Sequence, residues 1–198
     1  MKLSLVAPAS VTDPVLITRM AEGDRDALGA LFDRHHQALY SFLARTSGAD
    51  IADAELEDLV QTTFLEAFRA APRYRNAAAP RTWLFAIGGN VARMHRRATR
   101  RRTRAMQRLA DLPEGTSAAV DARLADQRAL ARIEVALDAL PHDVRIAYVM
   151  CVMEDVAADE AARALGVARG TVWRRVHEAR VALRAAAEPA LVRKGGAP

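Results

Sequence analysis

Residues 157–184 read AADEAARALGVARGTVWRRVHEARVALR, and the pattern of this stretch predicts the structure of the C-terminal part of the chain. Gly166 interrupts two segments that are rich in residues of high helix propensity. In the second segment the apolar residues recur at helical spacing and form one stripe: Val172, Val176, Ala179 and Leu183. A short helix, a glycine turn and a longer helix with one apolar stripe predict a helix-turn-helix.

The outer face of the second helix carries side chains that can contact nucleic acid. Arg174, His177 and Glu178 point away from the stripe, and Trp173 lies at its edge. An arginine can bind guanine and a glutamate can accept a hydrogen bond from cytosine, so this face is suited to the major groove of DNA. The alternative is a purely structural pair of helices with this face in solvent.

The rest of the chain has the same helical character. Of its 198 residues, 51% are hydrophobic, which is enough for a packed core and excludes a wholly disordered chain. No stretch alternates in the way a strand does. We therefore predict an all-α protein of two helical domains, 12–103 and 122–190, joined by a flexible linker over 104–121. Proline, glycine and hydroxyl residues accumulate in that linker.

Charge divides the chain more sharply than its total of +5 indicates. Residues 67–110 hold twelve arginines and no acidic residue, whereas residues 1–66 carry a net charge of −6 and residues 111–198 a net charge of −1. The whole chain has only two lysines, so the preference for arginine reflects a compositional bias. The absence of acidic residues from 67–110 is the stronger signal, and it predicts contact with a polyanion.

The third predicted helix, over residues 54–70, has a mixed patch on the side opposite its apolar stripe. Asp58, Gln61 and Leu65 follow one another at positions i, i+3 and i+7, with Thr62 beside them. A leucine among polar groups on a solvent-facing side is typical of a protein-binding surface. The alternative is an ordinary solvated face with one exposed leucine.

The fourth predicted helix, from Pro80 to about Arg102, has two contrasting faces. Four apolar residues at helical spacing are expected to face the core: Leu84, Ile87, Val91 and Met94. Asn90, Arg93 and Arg97 lie on the far side at positions i, i+3 and i+7. Arginines in such a row can follow the phosphates of a nucleic-acid strand.

The loop before this helix contains Tyr74, Arg75 and Asn76. An aromatic ring can stack on an unpaired base and an amide can bind a base edge, so loop and helix together favour single-stranded nucleic acid. Two alternatives remain: a solvated cationic face with Tyr74 in the core, or a helix that lies on a membrane surface.

Two blocks of sequence resemble one family. The first contains DLVQ (58–61), FRA (68–70), RTWL (81–84) and NVA (90–92), and it resembles conserved region 2 of bacterial RNA polymerase sigma factors. The second contains ALP (139–141), LGV (165–167) and GTV (170–172), and it resembles region 4.2. The blocks stand in the family's order, and the short chain is similar to the extracytoplasmic-function (ECF) type.

The resemblance implies a promoter-recognition subunit whose partners are core RNA polymerase (β′ clamp and β), promoter DNA and an anti-sigma factor. It assigns binding of the core polymerase to Asp58, Gln61, Thr62 and Leu65. It assigns the unpaired −10 bases and their backbone to Tyr74, Arg75, Asn76, Asn90, Arg93 and Arg97. It assigns the −35 duplex to Arg169, Thr171, Trp173, Arg174, Arg175, His177 and Glu178.

One departure from the family's pattern precedes Asn90, where an arginine is usual and this chain has Gly88 and Gly89. Two glycines inside a helix cost roughly 1 kcal/mol each relative to alanine. They therefore indicate either a bend in the helix or the close approach of another element.

The sequence gives little indication of a metal site or a catalytic site. The single cysteine and the five histidines lack metal-ligand spacing, and no catalytic motif stands out. We predict no enzyme activity, no metal and no cofactor, and a cytoplasmic protein without membrane contact of its own. The main alternative is a self-standing helix-turn-helix regulator, and a third hypothesis is an adaptor that binds an acidic partner or a membrane through residues 93–108.

Overall fold

The computed structural model describes residues 11–48, 51–109 and 125–187. Within these ranges the chain forms eight α-helices and no strand, which confirms the all-α prediction with two helical domains. The helices are α1 (Asp13–Ala21), α2 (Arg25–Ser47), α3 (Asp53–Ala70), α4 (Pro80–Leu109), α5 (Ala125–Ala139), α6 (His142–Tyr148), α7 (Ala158–Leu165) and α8 (Arg169–Ala187). A 3₁₀ turn, Ala71–Arg73, follows α3, and a π-helical turn, Val149–Met153, continues α6.

The N-terminal domain packs α1 to α4 around one apolar core. Helix α2 begins where the Asp24 carboxylate accepts hydrogen bonds from the backbone N–H groups of Asp26 (2.9 Å) and Ala27 (3.1 Å). The rings of Phe42 in α2 and Phe85 in α4 stack with their centroids 4.4 Å apart, and both side chains are buried. This pair fixes α4 against the centre of the domain.

The C-terminal domain contains the predicted helix-turn-helix. Helix α7 ends at Gly166, whose φ of +65° is the left-handed conformation that glycine adopts without strain. All four residues of the predicted stripe on α8 are buried: Val172, Val176, Ala179 and Leu183. Beneath α8, the buried Arg145 of α6 donates hydrogen bonds to the carboxylate of Asp138 (2.8 Å) and to its backbone oxygen, and so ties α6 to the end of α5.

The glycine pair of α4 marks a close approach of neighbouring helices. Helix α4 continues without a break from Pro80 to Leu109. A Cβ atom on Gly88 would lie 3.0 Å from Cδ1 of Leu39 in α2, and a Cβ atom on Gly89 would lie 2.6 Å from Cδ1 of Ile146 in α6. Gly88 thus lets α4 approach its own domain, and Gly89 lets it approach the C-terminal domain.

Two details of α4 differ from the sequence-based expectation. Met94 does not face the core but is 70% exposed, because α3 and α4 leave an open groove between them at this level. Phe85, Ala86 and Ala92 are buried although they lie outside the predicted stripe. Helix α4 packs against both domains, so its buried surface is wider than a single stripe.

The predicted domain boundaries remain predictions. Helix α4 extends to Leu109, so the first six residues of the predicted linker, 104–109, are helical. The remainder of the predicted linker, 110–121, lies outside the described residues.

Candidate DNA and polymerase interfaces

The mixed patch on α3 faces solvent as the spacing predicts. Asp58, Gln61, Thr62 and Leu65 are all exposed, and the Leu65 side chain keeps 55% of its surface in solvent. The opposite side of α3 is buried through Leu56, Val60, Phe64 and other apolar residues. The patch is therefore held on a well-packed helix and is open to a protein partner.

A groove of about 500 Å³ adjoins this patch between α3 and α4. Apolar side chains, among them Leu59, Ile87 and Met94, form most of its lining, and Thr62 and Asn90 lie along it. The groove thus connects the α3 patch to the polar side of α4.

The loop before α4 is held together by its own side chains. The ring of Tyr74 packs against Trp83 with centroids 4.9 Å apart. The Tyr74 hydroxyl lies 2.7 Å from the backbone oxygen of Ala78 and 3.0 Å from Oδ1 of Asn76, and it donates its single proton between these two acceptors. Arg75 donates to the backbone oxygen of Pro72 at 3.1 Å. Tyr74 therefore shapes the loop and does not project freely into solvent.

The acid–base properties of Tyr74 suit this role. Burial raises the pKa of the Tyr74 phenol, and the carboxylates of Asp13 and Glu160 raise it further. The hydroxyl consequently stays protonated and remains a hydrogen-bond donor. Asn76, which accepts from it, has a φ of +54°, a left-handed conformation that asparagine tolerates better than most residues.

The polar row on α4 lies apart from the loop. Asn90 is exposed, and its Oδ1 accepts a hydrogen bond from Arg93 at 2.7 Å. Arg93 also lies 3.6 Å from the carboxylate of Asp143, while Arg97 is exposed one turn further along. Asn90 follows Pro80 by ten residues, which is about 15 Å along the helix. The predicted −10 residues therefore form two groups at different positions along α4.

The outer face of α8 is open. Trp173, Arg174, His177 and Glu178 are exposed, with 52% of the Trp173 surface in solvent. The other predicted −35 residues are partly buried or form ion pairs with carboxylates. Thr171 is half-buried. Arg169 lies 3.1 Å from the Asp159 carboxylate, and the half-buried Arg175 lies 3.2 Å from that of Asp143.

Two sequence regions of this chain match known family models. The family model described as "Sigma-70 region 2" matches residues 31–102, and the model described as "Sigma-70, region 4" matches residues 130–183. The ECF RNA polymerase sigma factor SigM of Mycobacterium tuberculosis is 36% identical over 173 residues, which cover 87% of this chain and 83% of SigM. The chain belongs to the ECF RNA polymerase sigma factors.

Further relatives place this sigma factor in the same family. The sigma factor NccH of Alcaligenes xylosoxydans xylosoxydans is 33% identical over 87% of this chain and 93% of its own length. The solved structure of CnrH, in complex with the cytosolic domain of CnrY, is 28% identical and superimposes with a TM-score of 0.59 over 87% of this chain and 95% of CnrH. RpoE of Bartonella quintana, solved with the anti-sigma factor NepR, is 26% identical with a TM-score of 0.53, over 76% of this chain and 90% of RpoE.

As a member of the family, this sigma factor binds core RNA polymerase, recognises promoter DNA and starts transcription. The prediction of a promoter-recognition subunit is confirmed, and the comparisons do not support a self-standing regulator.

Sequence reasoning missed one set of polar residues in this sigma factor. Glu154, which precedes α7, contacts Arg45 of α2 and Arg81 of α4, and its side chain is only 6% exposed. These partners are 109 and 73 residues away along the chain, so no local spacing could reveal the contacts.

Two other kinds of feature, a metal-binding cluster and a membrane-spanning helix, are absent from the part of this sigma factor that the structure describes. Residues 11–48, 51–109 and 125–187 contain no group of three or more histidine, cysteine, aspartate or glutamate residues that could hold a metal ion. None of the helices in those ranges combines the length and apolar character that a membrane span requires.

Proposed function

We propose that this sigma factor divides its work among three surfaces. The α3 patch (Asp58, Gln61, Thr62 and Leu65) binds the β′ clamp of core RNA polymerase. The loop before α4, together with Asn90, Arg93 and Arg97, binds the unpaired −10 strand. The outer face of α8 binds the −35 duplex. The observation that carries the proposal is exposure: α3 and α8 each bury one side, and they turn to solvent the α3 patch and the α8 residues Trp173, Arg174, His177 and Glu178.

The −35 surface combines direct contacts to bases with contacts to phosphates. Arg174, His177 and Glu178 occupy the exposed side of the second helix of the helix-turn-helix, where side chains reach base edges in the major groove. Arg169 and Arg175 at its margins bind phosphates. Their present ion pairs do not prevent this, because a surface ion pair contributes only about 0–1 kcal/mol and a phosphate can replace the carboxylate.

The −10 surface uses its residues in two ways. Tyr74 positions the loop through its hydroxyl and through its ring on Trp83, and the exposed Arg75 and Asn76 contact the strand. Asn90 supports base capture along the helix, and Arg93 and Arg97 hold the adjacent phosphates. The net charge of +12 over residues 67–110 favours a polyanionic strand at this surface.

An anti-sigma factor is the third partner that we assign to this chain, since CnrH and the Bartonella RpoE were each solved with a partner of their own. Core RNA polymerase works in the cytoplasm, and we place this sigma factor there, without membrane contact of its own. It carries no enzyme activity or cofactor in this proposal, because binding to unpaired bases that exist only in the open promoter is enough to favour melting.

Co-purification with core RNA polymerase tests the α3 patch. The double variant Asp58→Ala/Gln61→Ala should weaken binding at least tenfold relative to wild type, which is about 1.4 kcal/mol. Asp33→Ala/Gln37→Ala on α2 is a matched control, since it removes one exposed aspartate and one exposed glutamine from another helix. Equal binding by both double variants would overturn the assignment of the patch.

A further inference from the structure

A pocket of about 400 Å³ lies between the middle of α4 and the turn that joins α5 to α6. Helix α4 contributes three arginines to its lining, Arg93, Arg96 and Arg97, and the turn contributes residues 139–143. Pockets that bind small molecules typically measure about 300–1,000 Å³. This pocket is therefore large enough for a small ligand. None of the three proposed binding surfaces includes Arg96 or the turn.

The lining of this pocket carries an excess of positive charge. The three arginines face one acidic residue, Asp143, so the formal charge of the lining is +2 when His142 is neutral. The Asp143 carboxylate lies 3.6 Å from Arg93 and 3.2 Å from Arg175 of α8, so two arginines share it. The pocket is consequently suited to an anion that brings at least two negative charges.

The spacing of the arginines along α4 favours a bound anion for a second reason. Arg93, Arg96 and Arg97 stand at positions i, i+3 and i+4, where side chains are neighbours on one helix face. Like charges at such positions destabilise a helix by roughly 0.2–0.5 kcal/mol per pair. An anion held between the guanidinium groups would replace this repulsion by attraction.

His142 lies under the same positive charge. Its Nε2 donates to the backbone oxygen of Gly89 at 2.8 Å, which fixes the turn against α4. Burial lowers the pKa of His142, and the charges of Arg96 and Arg145 lower it further, whereas the bond to Gly89 and the charge of Asp143 oppose the shift. The imidazole is therefore neutral at pH 7, and the arginines supply the charge that attracts an anion.

The shape of the pocket indicates which anion fits. A guanidinium group binds phosphate through two parallel hydrogen bonds. Arg93 and Arg97 are about one helical turn apart, roughly 5.4 Å along the axis, so two linked phosphate groups match their spacing better than one. Beside the arginines, the buried Leu140 and the exposed Pro141 form an apolar surface on which the ring of a nucleoside can lie.

We propose that this pocket binds a small ligand that carries a diphosphate group, with Arg93, Arg96 and Arg97 on one side and the α5–α6 turn (residues 139–143) on the other. Inorganic pyrophosphate and a nucleoside diphosphate share this chemistry. A bound ligand occupies Arg93 and Arg97 and therefore competes with the phosphates of the −10 strand. Only this last consequence rests on the proposed assignment of the −10 surface.

Isothermal titration calorimetry with inorganic pyrophosphate tests the site on the full-length chain, at about 0.15 M salt and without divalent cations. Ala139→Glu places a carboxylate at the exposed edge of the pocket and keeps all three arginines, so we expect at least tenfold weaker binding. Ala139→Gln is the matched control, because it adds a side chain of nearly the same size without charge. It should bind within threefold of wild type. Circular dichroism checks that each variant is folded.

A second pair of variants tests the arginines of α4. Arg97→Ala should weaken pyrophosphate binding at least fivefold, whereas Arg184→Ala, the same substitution at an exposed position of α8, should leave it unchanged. Equal affinities of the two Ala139 variants would overturn the site. Equal affinities of the two arginine variants, or no binding of pyrophosphate to wild type, would overturn it as well.

Titration with ADP distinguishes the two sources of the diphosphate group. Tighter binding of ADP than of pyrophosphate, lost in Ala139→Glu, would support the site and identify a nucleoside diphosphate as its ligand. Weaker binding of ADP, with pyrophosphate still sensitive to Ala139→Glu, would support the site and identify the inorganic ion. Binding of both probes that Ala139→Glu does not weaken would occur outside the pocket and would contradict the proposal.

Discussion

The outer face of α8 and the loop before α4 are both assigned to DNA, yet the structure treats them differently. The α8 residues Trp173, Arg174 and His177 stand in solvent. In the loop, Tyr74 is bonded internally, and the N–H of Ala79 is bonded to the other domain. One of the two proposed surfaces is therefore exposed to solvent, whereas the C-terminal domain covers part of the other. The difference shows that exposure of a reading surface depends on domain packing as well as on helix periodicity.

Removing a proposed base contact from α8 should distinguish the roles of the two surfaces most clearly. Arg174→Ala should lower transcription by the holoenzyme from its own promoters about 10- to 100-fold, because one bidentate contact to a base contributes about 1–3 kcal/mol. Binding of a fluorescein-labelled oligothymidylate of about twelve nucleotides, a probe for the proposed −10 surface, should not change. Arg184→Ala, the same substitution near the end of α8, is the control in the in vitro transcription assay.

A smaller effect is expected when the loop loses its internal bond. Tyr74→Phe removes the donor that serves Ala78 and Asn76, and should lower the free energy of unfolding by about 1 kcal/mol. Urea denaturation measures this loss. Tyr40→Phe breaks only an exposed bond to Asp53 and should cost less. If Tyr74→Phe were as stable as wild type, Tyr74 would not be the residue that positions the loop.

The phosphate contacts of α4 can be tested through their dependence on salt. Arg97→Ala should weaken binding of a fluorescein-labelled oligothymidylate of about twelve nucleotides a few-fold, with the slope of log K against log salt reduced by about 0.7. A reduced affinity with an unchanged slope would mean that Arg97 does not contact a phosphate.

The smallest expected effect is a dependence of stability on pH, which arises from His142 at the interface between the domains. Burial lowers the pKa of His142 below its usual value of 6.5, with Arg96 and Arg145 acting in the same direction, whereas its bond to Gly89 and the charge of Asp143 oppose the shift. Because the folded pKa lies below the unfolded one, the stability from neutral His142 is present above pH 6.5. It is lost as the pH falls from there through the lowered pKa.

Urea midpoints at pH 7.5 and 5.5 measure this effect on wild type and His142→Gln. The wild-type midpoint should fall more on acidification than that of the variant. Parallel shifts in the two proteins would show that His142 does not contribute to the pH dependence.

Periodicity explains why much of the fold could be predicted from the sequence. The stripe of Val172, Val176 and Leu183 is local, and so is the left-handed turn at Gly166. The exposed α3 patch was predicted from the same helical periodicity, because its residues lie opposite the apolar stripe of that helix. These elements depend on neighbours within a few turns, and a single sequence contains that information.

Contacts between the domains could not be predicted from helical periodicity, because they join residues that are far apart in the sequence. Met94 has the spacing of a core residue but lines the open groove between α3 and α4. Glu154 meets Arg45 and Arg81 only because the two domains fold against each other. The glycine pair indicated either a bend or a close approach, and nothing local to it could show that the second holds or that Ile146 is the neighbour.

Gly89 gives this interface an unusual genetic property. Every substitution at that position adds at least a Cβ atom, which the structure places 2.6 Å from Ile146, and most substitutions also favour the helix over glycine. A codon change to a large side chain, which Ile146 cannot accommodate by turning its terminal methyl group alone, can therefore loosen the domain contact without weakening α4.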